Sequence, residues 1–170
     1  MTPMPSPRPR RDPARILFWV THAVYLPLGY FVYLVWSLSG GFVVWDLQVL
    51  GYSAEWVQRF LAALPPEGAE IYIHRVRPLD TVIPVLLAVT ISAFALKTRV
   101  WWRWVCVAIA ANTALLDLLE NVRLVALVSG VVAPSPEAVA AVSWVTQAKF
   151  ASLATSLAVL VLAQWRTRHA

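Results

Sequence analysis

Apolar positions in this chain gather into four long blocks, about 16–38, 80–96, 104–129 and 136–165, and Pro, Gly and charge return between them. Each block falls in or above the range of about 17–25 residues that a helix needs to cross the hydrocarbon core of a bilayer. The pattern changes in the longest connection, residues 42–79. There Trp56, Val57, Phe60, Leu61 and Leu64 recur at helical spacing while Gln58 and Arg59 fall on another face. Ser53 stands where an N-cap belongs, Glu55 lies in the first turn, and Pro65-Pro66 ends the run. An amphipathic helix lying across the mouth of a bundle, or in the outer interface, is the expected product. A second short helix is expected from Glu67 to Arg75. Asp80 is placed to cap the second block, with Pro84 in its first turn. Pro27 lies inside the first block, and Gly40-Gly41 closes it. The prediction is an all-α, four-helix transmembrane bundle with a helical cap in its first outer loop. Short connections make the last three blocks sequential antiparallel neighbours.

Composition sharpens this. The chain has 170 residues, 59% hydrophobic and 14% charged, against roughly 45–50% and about 25% in soluble domains. The excess apolar content is spent on the spans, which leaves no room for a soluble catalytic domain. Residues 1–15 are expected to be a disordered basic tail, 16–165 the membrane domain and 166–170 a second tail. The stretch Ile16–Leu38 is 23 residues long, against about 7–15 for a signal-peptide core, so it is expected to be a retained first span.

The net charge of +5 matters through its distribution. Arg8, Arg10, Arg11 and Arg15 precede the first block, Lys97, Arg99 and Arg103 lie between the second and third, and Arg166 and Arg168 follow the fourth. The turn around Ala133–Glu137 has no Lys or Arg. The positive-inside rule then places both termini on the cytoplasmic side of the membrane. The basic ends serve as topology signals beside anionic headgroups, and no nucleic-acid partner is implied. Cys106 is the only cysteine, which excludes an intramolecular disulfide. His22, His74 and His169 are too scattered for a zinc pattern, and no metal or cofactor is expected. His74, Arg75 and Arg77 read as a solvated or interfacial basic cluster, with attraction of an anionic headgroup as the other reading.

The chemistry is concentrated where hydropathy forbids it. Asp117, Glu120, Asn121 and Arg123 lie inside the third block and Lys149 inside the fourth. Thr113, Asp117, Glu120, Asn121 and Leu124 share one helical face, as do Val142, Thr146, Lys149, Leu153 and Ser156. Counted back from the connecting turn, the two polar groups reach similar depths, so acid and ammonium can meet. Eleven Val, Ile and Leu between Val105 and Leu127 supply roughly −3 to −7 kcal/mol of insertion free energy. Asp117, Glu120 and Arg123 cost roughly 8–10 kcal/mol. That face must pack against neighbours or open onto an aqueous pocket. Two acids and two bases sum to zero, so an ion-pair network that fixes register is one reading, with Glu120 and Arg123 pairing along the helix. A ligand site built from Asp117, Glu120, Asn121, Lys149, Thr146, Asp80 and His22 is the other.

Taken in order, the Gly51-Tyr52-Ser53 start of the loop helix, Asp80 opening the second span, Asp117-x-x-Glu120-Asn121 and Thr146-x-x-Lys149 resemble a pattern in bacterial four-span integral membrane proteins of uncharacterised function, over about residues 16–165. The resemblance implies a shared cluster and no activity. Three functions fit the residues. One is a non-enzymatic protein that binds a lipid-like or small amphiphilic ligand, or a membrane-protein partner. Another is an intramembrane isomerase or lipid-modifying enzyme with Asp117 or Glu120 as acid/base. The last is a transporter or assembly subunit, for which a homo-oligomer would be needed.

Overall fold

The computed structural model describes residues 12–169; residues 1–11, most of the expected basic tail, and residue 170 lie outside it. Helix α1 spans Pro13–Leu38 and starts earlier than the expected Ile16, because Asp12 accepts a hydrogen bond from the Ala14 amide at 3.1 Å and Pro13 is preset for a first helical position. It stops where Gly40 and Gly41 take φ values of +72° and +92°, a region that side chains other than Gly avoid. A single 3₁₀ turn, Trp45–Leu47, follows. Helix α2, Ala54–Ala63, is the expected amphipathic cap helix: Ser53 Oγ accepts from the Trp56 amide at 3.2 Å, and Val57 and Phe60 are buried.

Helix α3 corrects two expectations. It runs unbroken from Pro66 to Leu96, 31 residues, so the short helix foreseen at 67–75 and the second span are one rod. The join is a π turn at Tyr72–Val76. Pro78 comes just after it, and a proline ring in regular α-helix clashes with the carbonyl four residues back. A wider turn removes that conflict and lets the helix pass through. With helical backbone on both sides, Asp80 has no free amides to cap and its side chain is released for other contacts.

Helices α4, Arg103–Val128, and α5, Pro136–His169, complete the bundle. Gly130, at φ +74°, closes α4, and Ser135 Oγ accepts from the Ala138 amide at 3.2 Å to open α5. Helix α4 packs between α3 and α5; α1 packs along α3 and its π turn but makes no packed pair with α5. A lateral groove is left between α1 and α5. The main core lies in the cap half, around Trp45, Phe60, Tyr72, Leu124 and Val139. A smaller core of Ile91, Ala95, Cys106 and Ala110 serves the half near the termini.

Among the described residues four helices, α1, α3, α4 and α5, are long and apolar enough to cross a membrane, with mean hydropathies of 1.4 to 2.1. Their most apolar windows are only 11–33% buried within the chain. Trp19, Leu26, Tyr30, Val122 and Val161 face outward. Apolar surface on that scale belongs in lipid.

Candidate functional site

The polar groups in the cap half are organised by two buried cations. Arg77 follows directly on the π turn and is 4% exposed. Its guanidinium donates to Asp46 of the 3₁₀ turn and to Asn121 Oδ1 of α4. Asp80, one turn on along α3, brings a carboxylate oxygen to 3.0 Å of it, without hydrogen-bond directionality. The guanidinium also lies over the Tyr72 ring, 4.4 Å from its centroid. Tyr72 in turn accepts a hydrogen bond from Trp45 Nε1 at 2.7 Å, which positions the residue beside Asp46. Asn121 spends its amide on the Asp80 carbonyl at 3.2 Å. A planar fork with several donors is the side chain such a crowded site requires.

The second cation is Lys149 of α5, which pairs with Glu120 and, at 3.3 Å, with Asp117, both on α4. Thr146 Oγ donates to Glu120. Having spent its proton there, Thr146 accepts from the Tyr52 hydroxyl at 3.2 Å. Burial pushes the Tyr52 phenol up, so it keeps the proton it donates. The Tyr52 amide donates to Ser143 Oγ at 3.0 Å, which anchors the start of the cap to α5. Burial alone would raise the Asp46 carboxyl, but the charges of Arg77 and Lys149 outweigh it and hold the group below the usual carboxylate range.

Between these two centres lies a cavity of about 130 Å³. Asp46, Asp80, Asp117 and Lys149 form its polar end, and Tyr25, Leu28, Ile83, Leu87 and Leu153 contribute apolar wall. A second cavity of about 250 Å³ continues toward the termini between α1 and α5, lined by Phe18, Phe94, Leu157 and Leu160 with almost no polar surface. Leu87 and Ile91 line both cavities. The two cavities thus adjoin along the groove, the one nearer the cap carrying the charged groups and the other almost wholly apolar.

The structure divides the residues singled out in the sequence. Asp117, Asp80 and Lys149 line the crevice. Glu120, Asn121 and Thr146 stand buried behind it, where they hold the others. His22 lies apart, on the apolar cavity, with Nδ1 2.7 Å from the Phe18 carbonyl. Arg123 does not pair with Glu120; it donates to the Ala141 carbonyl at 3.2 Å. The expectation of a cluster neutral through Arg123 is therefore overturned. Asp46, Arg77, Tyr72 and Tyr52 are the members that sequence reasoning missed. Arg77, read as part of a solvated cluster, is among the most buried charges in the chain. Its position three residues before Asp80 was the available signal, provided the two were placed on one helix.

Among the described residues no group of three His, Cys, Asp or Glu side chains is placed to hold a metal ion. Comparison with protein-family models, curated proteins and solved structures returns no match, so the assignment of this site rests on its geometry.

Proposed function

We propose that this chain is an amphiphile-binding protein of a bacterial inner membrane, with a ligand head group held at the Asp46–Asp80–Asp117–Lys149 crevice and its apolar chain laid along the α1/α5 groove. The observation that carries this reading is the change from polar to apolar lining between two adjoining cavities that share Leu87 and Ile91. From Lys149 to Leu160 the helix rises about 16 Å, enough to seat a chain of many carbons. The lateral opening between α1 and α5 gives such a ligand access from the bilayer rather than from water. Lys97, Arg99, Arg103, Arg166 and Arg168 all lie at the end of the bundle that carries the termini, which supports a cytoplasmic location for that end and an outer-leaflet location for the head site.

The test is calorimetric titration of the protein in uncharged maltoside detergent with alkyl amphiphiles of increasing chain length. Affinity is expected to rise about fourfold per methylene, the equivalent of ~0.8 kcal/mol of burial, and then to level off when the groove is full. Leu87→Trp, placed where the cavities join, is expected to abolish binding while leaving thermal stability near wild type. Chain-length dependence identical in wild type and Leu87→Trp would mean that binding is ordinary detergent partition, and the proposal would fall.

A further inference from the structure

The end of the bundle that carries the termini has a surplus of positive charge. Arg15, Lys97, Arg99, Arg103, Arg166 and Arg168 lie there, and Asp12 is the single acid among the described residues at that end. Residues 1–11 add three Arg and no Asp or Glu. Asp12 is taken by Lys97. Arg103 is occupied too, donating to the Thr98 carbonyl at 2.9 Å with its guanidinium over the Trp104 ring. The ion pairs among the described residues leave Arg15, Arg99, Arg166 and Arg168 out.

Two of these four share a cavity. Arg99, from the turn between α3 and α4, and Arg166, near the end of α5, line a space of about 700 Å³ together with Trp165 and His169. Small-molecule sites occupy about 300–1,000 Å³. Both arginines are exposed, so neither guanidinium has to be uncovered to meet a ligand. The His169 ring packs against the Trp165 indole, with centroids 5.1 Å apart, and each ring carries an N–H donor. The positive-inside rule asks only for charge on one side of the membrane. It does not ask that arginines from two separate elements border one cavity.

The surface of α5 next to the cavity points to the ligand. Val161 and Leu162 are exposed and stand one helical turn before Trp165 and Arg166, on the same faces. Toward the end of the helix the order is therefore apolar surface, indole, guanidinium. A leaflet presents acyl chain, interface and phosphate in that order. Arginine meets phosphate with paired N–H donors in a fixed fork. An ammonium-bearing headgroup would find no free carboxylate here, because Asp12 is engaged by Lys97.

We infer that this cavity holds the phosphodiester of an anionic phospholipid, with Arg99 and Arg166 on the phosphate and an acyl chain along Val161 and Leu162. Basic pockets between spans are suited to such headgroups. Arg166 lies about 25 Å along α5 from Lys149, so the site neither uses nor requires the crevice under the cap.

The experiment is thermal unfolding of the protein in uncharged maltoside, titrated with dilauroyl phosphatidylglycerol or with dilauroyl phosphatidylethanolamine. The concentration giving half the stabilisation is expected to be at least about tenfold lower for phosphatidylglycerol, since each cation near an anionic headgroup contributes roughly 1 kcal/mol. Arg99→Gln combined with Arg166→Gln is expected to bring the two lipids to parity. Arg15→Gln combined with Arg168→Gln removes the same charge from the same end, outside the cavity lining, and is expected to keep the preference. Equal loss in both double variants would mean diffuse attraction to the basic end and would overturn the site. Equal binding of the two lipids by wild type overturns it without any variant. Glycerophosphate, which has the phosphate and no acyl chain, separates the sources. Stabilisation by glycerophosphate at the concentration at which phosphatidylglycerol acts would mean that a free phosphate is the ligand, and the phospholipid assignment would fall.

Discussion

Arg77 and Lys149 are each a buried cation between two carboxylates, yet they do different work. The partners of Arg77 come from the 3₁₀ turn, from α4 and from its own helix, and an aromatic ring covers one face. It fastens the cap to the bundle and does not itself line the crevice. The partners of Lys149 both come from a single adjacent helix, α4, and Lys149 forms part of the crevice wall. The first centre is a brace that ties the cap to the bundle; the second is a seam that borders the cavity. Similar charge arithmetic therefore predicts different costs when each cation is removed.

The largest effect belongs to Arg77. Arg77→Met leaves Asp46 and Asp80 without their counter-charge in a buried setting and is expected to cost about 3–5 kcal/mol. Arg77→Lys is expected to recover little, because a point charge cannot reach Asp46, Asp80 and Asn121 together. Adding Asp46→Asn to Arg77→Met should return part of the loss by removing one stranded charge. Thermal unfolding in detergent measures all three. A loss for Arg77→Met no greater than that for Lys149→Met would erase the distinction between brace and seam.

Lys149→Met is expected to cost less, about 2–3 kcal/mol, the scale of one charge-assisted hydrogen-bond network. Glu120 is left fully buried, whereas Asp117 borders the crevice and keeps access to solvent or ligand. Pairing the change with Glu120→Gln should restore more stability than pairing it with Asp117→Asn. The reverse order would place the strained carboxylate at the crevice rather than behind it.

These two centres also differ in how far the sequence reveals them. Asp117, Glu120, Asn121 and Lys149 stand out because each interrupts an apolar block, where a charge is anomalous on its own. The four spans and the cap helix are legible for the same reason, since periodicity and length are local properties. Asp46 and Arg77 lie in a stretch where charges are ordinary, and only the folding of the cap takes them out of water. Asp80 misleads because an acid after a loop reads as an N-cap; the continuity of α3 through Pro78 depends on a π turn that no spacing announces. Arg123 misleads in the opposite sense, since spacing along α4 suggests a partner that its reach to the Ala141 carbonyl forgoes.

The seam side of the cap can be weakened without touching a charge. Gly51 has φ +88°, and a Cβ there would collide with Gln147 Nε2 and lie 2.7 Å from Ser143 Oγ. Gln147 can swing away, but Ser143 is held by the Tyr52 amide. Gly51→Ala is expected to cost about 1–2 kcal/mol from backbone conformation alone. Hydrogen exchange should show it as faster opening of residues 45–63 with α3 unchanged. Uniform acceleration across all helices would mean that the cap and bundle open as one unit.

The smallest effect tests whether burial, rather than pairing as such, gives an ion pair its weight. Asp12 and Asp46 are both held below the usual carboxylate range, Asp12 chiefly by its hydrogen bonds to Lys97 and Asp46 by Arg77 against the opposing effect of burial. A carboxyl depressed in the folded state contributes stability above its unfolded pKa, near 3.9, and loses that contribution as pH falls through the folded value. Both contributions are therefore complete at neutral pH and fade only in acid. Asp46 is buried and paired with Arg77, so its share is little screened; Asp12 and Lys97 are partly exposed at the helix start, where screening leaves little. Melting temperatures followed from about pH 7 down to about pH 2 should then superimpose for wild type and Asp12→Asn, while Asp46→Asn gives a visibly flatter acid limb. A flattening of equal size in Asp12→Asn would show that the exposed pair at the start of α1 matters as much as the buried one beneath the cap, and the contrast drawn between enclosed and open charges would not hold.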